Sequence, residues 1–235
     1  MSSLGTIFIT GSNRGIGLEF AKQYSLKNWD VIATCRNTNK AEELIELSKN
    51  NNNLRLMDLD ITNKDSVEEL ANKLDGKPID ILINNAIFPD QQRPFFDTDE
   101  IYWDRMMNLS LKGYFFASQR AAKEMLSNDN GGRIICLSSV HSYVAMPNWT
   151  AYGTAKMALR RMVKGIAADL AGKNITANCI APGAISNRLP DDIEDESVDG
   201  PPHKPEDFKR FIPAGIGGLP SDIANAVLYL SSHLG

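Results

Sequence analysis

A tyrosine and a lysine four residues apart could together carry out acid–base chemistry. Tyr152 and Lys156 lie near the start of a predicted helix, Thr150–Leu170, and a spacing of four places both side chains on one helix face. The apolar run before this helix ends in Ser138 and Ser139. A phenol can exchange a proton with a substrate oxygen, and a serine hydroxyl can stabilise charge that develops there. These residue types therefore indicate proton transfer at an oxygen atom.

A glycine-rich loop follows the first predicted strand and opens the first predicted helix. Residues 10–17 read Thr-Gly-Ser-Asn-Arg-Gly-Ile-Gly. Glycines permit a tight turn and a close approach of the backbone to a phosphate. The new helix then points its free N–H groups and positive dipole end at that phosphate. At the first strand–helix junction of an α/β chain, this pattern predicts a dinucleotide site. A helix-initiating turn without a ligand is the alternative interpretation.

The end of the second predicted strand indicates which dinucleotide is bound. It reads Ala-Thr-Cys-Arg-Asn over residues 33–37, and no acidic residue between Asp30 and Glu42 could bind the adenosine ribose of NAD. Arg36 stands where a 2′-phosphate would lie, and Arg14 lies in the glycine-rich loop. Guanidinium groups match a phosphate in charge and in hydrogen-bond geometry. We therefore expect NADP(H) to be preferred over NAD(H), with Arg36 as an ordinary surface charge as the alternative.

The elements that must position these residues alternate along the chain. Short apolar runs without polar alternation are typical of strands buried on both faces, as in parallel sheets. Strands are predicted at 7–9, 31–34, 54–57, 79–83, 133–137 and 175–180. Helices are predicted at 15–27, 40–49, 64–74, 102–126, 150–170 and 221–230. This alternation predicts the α/β class: a single Rossmann-type doubly wound parallel sheet with helices on both faces, formed by one domain over residues 1–235.

The composition is that of an ordinary globular protein. Of 235 residues, 43% are hydrophobic, and 25 Lys+Arg against 29 Asp+Glu give a formal net charge of −4. These values exclude disordered and fibrous chains. A slightly acidic chain has no general attraction for nucleic acid or for an anionic membrane, and no apolar run approaches the ~20 residues of a membrane span. We therefore expect neither nucleic acid nor a membrane as a partner.

The cysteines and histidines indicate neither a disulfide framework nor a metal site. Cys35, Cys136 and Cys179 are far apart and odd in number, which favours free thiols in a reducing compartment. The three histidines have no metal-ligand spacing. The N-terminus lacks the pattern of a signal peptide. The sequence therefore predicts a cytoplasmic protein without a metal.

Residues 188–212 differ from the rest of the chain in being rich in proline and acidic side chains. They stand between the last predicted strand and the last predicted helix, and long loops in compact domains are usually functional or disordered. We expect a lid over a substrate cleft, with a solvated loop as the alternative. The chain ends at Gly235, soon after the last predicted helix, which indicates either a truncated sequence or a naturally short C-terminus.

In their order and spacing, the motifs of this chain resemble those of the short-chain dehydrogenase/reductase family. The resemblance covers almost the whole chain and includes stretches similar to oxoacyl-carrier-protein reductases and to glucose dehydrogenase. The matching segments are the glycine-rich loop, Asn84-Asn85-Ala86 after the fourth strand, Asn108 in the helix that follows, Ser139 thirteen residues before Tyr152, the Tyr152–Lys156 pair, and Pro182-Gly183 after the sixth strand.

The resemblance implies hydride transfer between a nicotinamide cofactor and a carbonyl or a secondary alcohol. Tyr152 would protonate the nascent alkoxide, and we expect Lys156 and the cationic nicotinamide ring to lower the pKa of its phenol from ~10. Ser139 would hydrogen-bond the substrate oxygen. The family's catalytic asparagine, matched here by Asn108, holds a water that links the lysine to solvent. The catalytic residues are thus expected to be Asn108, Ser139, Tyr152 and Lys156.

The resemblance also implies the cofactor residues and the partners. The substrate would be a small carbonyl compound or alcohol. The helices predicted at 102–126 and 150–170 would pack against other subunits of a homodimer or homotetramer. The residues expected to bind NADP(H) are Gly11, Ser12, Asn13, Arg14, Gly15, Ile16, Gly17, Arg36, Asp60, Ile61, Asn85, Ala86, Tyr152, Lys156, Pro182, Gly183 and Ile185.

Three departures from the family pattern keep a second function open, and the early end of the chain at Gly235 is one of them. Ile87 replaces the glycine that follows Asn-Asn-Ala in the family, and Asn187 stands in place of the threonine that bonds the nicotinamide carboxamide. A dinucleotide-binding sensor or scaffold without turnover would tolerate both changes, because folds host unrelated functions. Such a protein would bind the cofactor and transfer no hydride to any carbonyl compound.

Overall fold

Six parallel strands form one sheet at the centre of the protein. The structure is a computed structural model that describes residues 3–74, 76–88, 90–127, 131–185, 212–213, 215 and 217–232. The strands are β1 (Thr6–Thr10), β2 (Asp30–Cys35), β3 (Leu54–Asp58), β4 (Ile81–Asn84), β5 (Gly132–Leu137) and β6 (Ile175–Ile180). Their order is β3-β2-β1-β4-β5-β6, with every neighbouring pair parallel. The predicted α/β class with a Rossmann-type parallel sheet is confirmed.

Helices cover both faces of this sheet. They are α1 (Gly15–Leu26), α2 (Glu42–Lys49), α3 (Lys64–Leu74), α4 (Glu100–Met107), α5 (Tyr114–Ser127), α6 (Thr150–Asp169) and α7 (Pro220–Ser231). The core on one face includes residues of α1, α2 and α7, and the core on the other includes residues of α3, α5 and α6. Within the described ranges, none of the helices has both the length and the apolar character needed to cross a membrane.

The strands read as unbroken apolar runs because each one contributes to both cores. In β1, Ile7 and Ile9 belong to the core under α1 and α7, whereas Phe8 belongs to the core under α3, α5 and α6. Successive side chains of a strand point to opposite faces, so a strand covered on both sides has no polar face. All five residues of β1 are buried.

The direction in which successive strands are added to the sheet reverses between β1 and β4. The first half of the chain places β2 and β3 on one side of β1, and the second half places β4, β5 and β6 on the other. In open α/β sheets, such a reversal leaves a crevice at the carboxyl ends of the two central strands, where ligands bind. The glycine-rich loop follows β1, Asn85 follows β4, and Ser138 follows β5. The sequence motifs therefore meet at one edge.

The helix predicted over residues 102–126 is not continuous. α4 ends at Met107, a π-helical turn spans Asn108–Gly113, and α5 begins at Tyr114. We call this segment the π turn. A Cβ atom on Gly113 would lie 2.9 Å from Cγ1 of Ile61, so this part of the turn packs closely against the loop after β3. π-helical turns inside α-helices are frequent at functional sites. The polar and apolar pattern is helical on both sides, which is why periodicity did not show the interruption.

Candidate active site

The glycine-rich loop folds closely against the end of β4. Gly11 has a φ of 70° and Gly15 a φ of 56°, which are left-handed conformations that favour glycine. A Cβ atom on Gly11 would lie 2.6 Å from Cα of Ala86. A Cβ atom on Gly17 would overlap the carbonyl oxygen of Gly11 and lie 2.5 Å from Nδ2 of Asn85. Glycine is thus required at both positions, and the N-terminus of α1 stays open to an anion.

Asn85 ties the two central loops together. Its Nδ2 donates hydrogen bonds to the carbonyl oxygens of Thr10 at 3.2 Å and Gly11 at 2.8 Å. In return, Oγ1 of Thr10 accepts from the backbone N–H groups of Asn85 at 2.9 Å and Ala86 at 3.1 Å. These four bonds fix the cradle before any ligand enters. Asn85 therefore shapes the cofactor site through the backbone of the loop.

Two arginines stand at the carboxyl edge beside this cradle, and an acidic residue stands there as well. Arg14 precedes α1, Arg36 follows β2, and both side chains are exposed. Asp58, at the end of β3, pairs in register with Cys35. Its Oδ1 accepts hydrogen bonds from the backbone N–H of Thr38 at 2.7 Å and from its hydroxyl at 2.8 Å, and these bonds lower the pKa of the carboxyl. Asp58 was not predicted from the sequence, because it belongs to the neighbouring strand β3 and not to the end of β2.

Three of the four expected catalytic residues come together beside the end of β5. Ser139, Tyr152 and Lys156 have exposed fractions of only 6%, 4% and 1%. The Ser139 hydroxyl lies near enough to the Tyr152 phenol to affect its pKa. Ser139 reaches this position because it caps the short 3₁₀ turn at Val140–Ser142, its Oγ accepting from the backbone N–H of His141 at 3.2 Å. Tyr152 and Lys156 lie on the buried face of α6, as their spacing predicted.

Burial raises the pKa of the Tyr152 phenol, and the nearby Ser139 hydroxyl lowers it by less. The lowering expected from Lys156 together with the cationic nicotinamide ring stays a prediction, because in the protein chain burial has the larger effect. Desolvation disfavours the phenolate, and the lysine Nζ lies 5.7 Å from the centre of the phenol ring. The phenol is therefore held in the protonated form, which is the form that a general acid requires.

Burial acts on Lys156 in the opposite sense, because the charged form of a lysine is the protonated one. Desolvation lowers the pKa of Lys156 to about 8, and the thiols of Cys136 and Cys179 lie near enough to affect it. Nζ donates a hydrogen bond of 2.7 Å to the carbonyl oxygen of Leu137, and it lies 5.3 Å from the centre of the Tyr114 ring. The carbonyl and the aromatic face compensate part of the cost of burying the ammonium.

Asn108 is not brought into this cluster. Its side chain is exposed at the start of the π turn, whereas Ser110, two residues later, is fully buried. The turn itself packs against α6. The polar side chain that the turn presents to the protein interior is thus Ser110, which sequence reasoning missed. The spacing in the sequence could have indicated it, because Ser110 comes four residues after Met106 and eight after Tyr102, and both of those side chains are buried.

His141 and Trp149 border the Tyr152 phenol. Their rings stack with centres 4.0 Å apart and planes at 10°, and each meets the Tyr152 ring edge-on, at 5.9 and 5.3 Å. Burial lowers the pKa of His141, which favours the neutral ring. Nδ1 of His141 is buried and has no hydrogen-bond partner among the described residues. A neutral imidazole with an unpaired nitrogen therefore lies beside the reacting phenol.

The other expected cofactor residues surround the same crevice or lie at its ends. Oδ1 of Asp60 accepts from the N–H and the hydroxyl of Thr62, and Ile61 is buried. Pro182 accepts a hydrogen bond of 2.9 Å from the N–H of Val140. The space around Gly183 is open, and Ile185 forms a parallel bridge to Gly218.

Two other expectations concern segments at the margin of the site. Ile87 has an exposed fraction of 42%, so its side chain points largely into open space beside the cradle. Asn187 lies outside the described residues, as does the expected lid at 188–212 except for Ile212.

The residues present fit a nicotinamide dinucleotide. The cradle excludes any Cβ at Gly11 and Gly17, and the helix behind it carries no acidic residue in its first turn that would compete with a phosphate. The ammonium, phenol and hydroxyl lie at the far end of the same edge, beyond β4. An elongated ligand can thus span the crevice from the glycine-rich loop to Tyr152.

The chain is similar in sequence and in structure to known proteins of one family. Residues 5–197 match the family described as short chain dehydrogenase. A 3-oxoacyl-(acyl-carrier-protein) reductase of Aggregatibacter actinomycetemcomitans is 30% identical, over 96% of this chain and 90% of its own length. Among solved structures, ElxO with NADP bound has a TM-score of 0.85 at 26% identity, covering 99% of this chain and 92% of the other. A 4-hydroxyisoleucine dehydrogenase complexed with NADH also has 0.85, at 28% identity and coverage of 97% and 91%.

These similarities extend across both the cradle and the catalytic cluster. They support an oxidoreductase rather than a binding protein without turnover, and the site keeps the hydroxyl of Ser139, the phenol of Tyr152 and the ammonium of Lys156 buried at one edge of the sheet. The chain belongs to the short chain dehydrogenase family and is an NAD(P)-dependent oxidoreductase.

Proposed function

We propose that this protein is an NADP(H)-preferring reductase of small carbonyl compounds, which runs in reverse as an alcohol dehydrogenase. The observation that supports this best is the buried group of Ser139, Tyr152 and Lys156 beside the glycine cradle. Bound NADPH supplies the hydride, and the chemistry of that transfer belongs to the cofactor. The protein contributes position, charge and a proton.

The three side chains have distinct tasks. Ser139 and Tyr152 donate hydrogen bonds to the substrate oxygen, which polarises the carbonyl. As negative charge develops on that oxygen, the phenol O–H bond breaks and the alcohol O–H bond forms. The Lys156 ammonium stabilises the phenolate that remains. Burial strengthens these electrostatic effects because water competes less for each group.

The proposed preference for NADP(H) rests on charge at the carboxyl edge of β2. Arg14 and Arg36 are both exposed there, where a 2′-phosphate can meet them. Asp58 is the acidic group that could instead favour NAD(H), but its carboxylate is engaged by Thr38. One structural neighbour binds NADP and another binds NADH, so the family alone favours neither. Arg14 and Arg36 favour binding of the 2′-phosphate of NADP(H).

The relatives suggest what kind of carbonyl compound is reduced. One acts on 3-oxoacyl groups and another on 4-hydroxyisoleucine, and both substrates carry a second polar group near the reacting carbon. We infer a substrate of this bifunctional kind. The segment 188–212 is proposed to close over it. The protein is further proposed to be cytoplasmic, in keeping with its free thiols, and to form a homodimer or homotetramer.

Calorimetric titration with NADPH and, separately, NADH tests the cofactor preference. We expect NADPH to bind at least tenfold more tightly, and Arg36→Ala to remove most of this difference, because a charge-assisted hydrogen bond contributes ~1.5–3 kcal/mol. Lys49→Ala is the control. It removes the same charge from the opposite end of α2, where Lys49 pairs with Glu46. Tighter binding of NADH would contradict the preference and leave the enzyme assignment intact.

Turnover is tested by NADPH oxidation with a panel of ketones, hydroxyketones and oxoacyl thioesters. We expect activity with at least one class, and a loss of at least about a hundredfold in Tyr152→Phe with cofactor binding retained. Cofactor binding without turnover on every substrate, or full activity in Tyr152→Phe, would contradict the proposed function.

A further inference from the structure

The segment that carries Ser139 is attached to α6 on both sides of that residue. Before it, the hydroxyl of Ser138 donates a hydrogen bond of 3.0 Å to the carbonyl oxygen of Lys156. After it, Nη1 of Arg160 donates a hydrogen bond of 3.0 Å to the carbonyl oxygen of Ser142. Lys156 and Arg160 are four residues apart, so the two contacts come from successive turns of one helix.

The second of these contacts joins residues 139–142, which we call the serine turn, to the helix that carries Tyr152. We propose that Arg160 is a positioning residue for the reaction, which fixes the Ser139 hydroxyl relative to the Tyr152 phenol by tying the serine turn to α6. In this role Arg160 acts through Ser139 and needs no contact with the substrate. The inference rests on the proposed function, because it concerns the hydroxyl that binds the substrate oxygen.

Hydrogen bonds inside the serine turn couple the position of Ser142 to that of Ser139. The carbonyl oxygen of Ser139 accepts from the Ser142 hydroxyl at 2.6 Å and from the Ser142 backbone N–H at 3.0 Å. Oγ of Ser139 accepts from the backbone N–H of His141 at 3.2 Å. Because Oγ is the acceptor in that bond, its own hydrogen can still be donated to a substrate oxygen. A displacement of Ser142 therefore changes where this hydrogen points.

Arg160 is itself held in place by an aromatic ring of the same segment. The central carbon of its guanidinium lies 3.4 Å from the centre of the Tyr143 ring, well within the range of cation–π attraction. Nη1 also lies 3.4 Å from Sδ of Met157. A planar guanidinium can lie on a ring and donate hydrogen bonds in its own plane at the same time, which an ammonium cannot do. The contact with Tyr143 thus directs Nη1 toward the carbonyl of Ser142.

A further hydrogen bond of the serine turn leads away from α6. The backbone N–H of Val140 donates to the carbonyl oxygen of Pro182 at 2.9 Å, and Pro182 belongs to the loop after β6. This bond does not set the distance between the turn and the helix. Loss of Arg160 would therefore remove the attachment that follows Ser139 and leave the one through Ser138. A displacement of about 1 Å at a reacting group can lower a rate on the order of a hundredfold.

Steady-state kinetics of Arg160→Ala and Arg161→Ala provide the first test. Arg161 is the next residue of α6 and is exposed, so its replacement removes the same charge without touching the serine turn. We expect Arg160→Ala to lower kcat for carbonyl reduction about tenfold and to change the KM for NADPH by less than about twofold. Arg160→Lys should recover only part of kcat. Arg161→Ala should keep the wild-type kcat, and an equal loss in both alanine variants would overturn the proposal.

The same replacement in a Ser139→Ala background separates positioning from a general loss of stability. If Arg160 acts through the Ser139 hydroxyl, Arg160→Ala should lower kcat by less than about twofold once that hydroxyl is absent, because residues that act as a unit are not additive. An effect of Arg160→Ala that is equally large in both backgrounds would contradict the proposal.

Hydrogen–deuterium exchange provides a readout that needs no turnover. The backbone N–H groups of His141 and Ser142 are bonded inside the serine turn. Arg160→Ala should therefore make residues 138–144 exchange at least about fivefold faster, with the exchange of β1 unchanged, and Arg161→Ala should exchange as the wild type does. Unchanged exchange over residues 138–144, or an acceleration spread over the whole chain, would overturn the proposal.

The two kinds of measurement separate the positioning role from the proposed activity. If Ser139→Ala turns over too slowly to be measured, the exchange rates and the kinetics of Arg160→Ala decide the question. A wild type without turnover would contradict the proposed function, and the exchange measurement would still test whether Arg160 fixes the serine turn.

Discussion

At the scale of single residues, burial separates the two ionisable groups of the catalytic pair. The pKa of Tyr152 rises and the pKa of Lys156 falls to about 8, each because the charged form loses hydration. The phenol thus remains protonated throughout the neutral range, and it is the lysine that titrates closest to neutral pH. The pH range over which the free enzyme is active should accordingly be limited by the protonation state of Lys156.

This assignment predicts the alkaline limit of activity. Lys156 carries its charge below about pH 8 and loses it above, so kcat/KM for carbonyl reduction should fall as pH rises through about 8. The measurement is the pH profile of kcat/KM, which reports the free enzyme, together with a check that NADPH still binds at each pH. A profile that stays level until above pH 10 would mean that Lys156 keeps its proton and that Tyr152 limits the range.

His141 is predicted to lower the stability of the free protein and to contribute to substrate recognition. Its buried Nδ1 has no partner among the described residues, and such an atom costs ~1–3 kcal/mol. His141→Phe keeps an aromatic ring on Trp149 and removes this cost, so the melting temperature of the free protein should rise. The same variant should lose kcat/KM for a 2-hydroxyketone more than for a simple ketone, because the nitrogen can bind a second substrate oxygen. Equal losses on both ketones would assign His141 to packing alone.

At the scale of elements, the sequence specified what depends on local periodicity and on short motifs. Strands such as β6 and helices such as α3 have the predicted bounds, because a strand buried on both faces and an amphipathic helix each leave a clear pattern. The π turn left no such pattern in the sequence, because one extra residue in a helix does not change the polar and apolar pattern of the helical segments on either side of it. On this turn the side chain of Ser110 is buried and that of Asn108 is exposed, and the catalytic role expected of Asn108 stays a prediction.

The junction of β1 and α1 offers a test of the glycine cradle. Gly17→Ala would force Cβ against the carbonyl of Gly11 and the amide of Asn85, so the loop must shift. We expect a loss of about 1–3 kcal/mol in the free energy of unfolding, as for other overpacked sites, and a cofactor affinity at least tenfold weaker. Chemical denaturation and calorimetry measure the two effects.

Gly165→Ala is the matched control for that experiment. Gly165 lies within α6, where a Cβ would meet only Nη1 of Arg161, at 3.5 Å. Alanine favours the interior of a helix over glycine by ~1 kcal/mol, so this variant should be stabilised and bind cofactor normally. Normal cofactor binding in Gly17→Ala would show that the cradle can relax, and the close approach of β4 to the loop would then have no role in binding.

At the scale of the whole molecule, exposed apolar side chains on α5 and α6 are candidate contacts for the proposed homodimer or homotetramer. Phe115 and Phe116 on α5 have exposed fractions of 39% and 50%, and Met157 on α6 has 55%. A large apolar patch on a protein surface often marks an interaction site, and we propose that these side chains contribute to one. The sequence could only suggest these helices by resemblance, because periodicity identifies a buried stripe and says little about a second apolar face.

Self-association through these helices is therefore the prediction that belongs to the assembled protein. A stable subunit interface covers about 800 Å² on each partner, and a lysine placed at its centre would be buried without a partner charge. Light scattering between about 1 and 50 μM should show a dimer or tetramer for the wild type and smaller species for Met157→Lys. Leu26→Lys is the control, because Leu26 is more exposed, at 70%, and ends α1 on the other face of the sheet. If Leu26→Lys dissociates the protein and Met157→Lys does not, the contact lies on the face formed by α1 and α7.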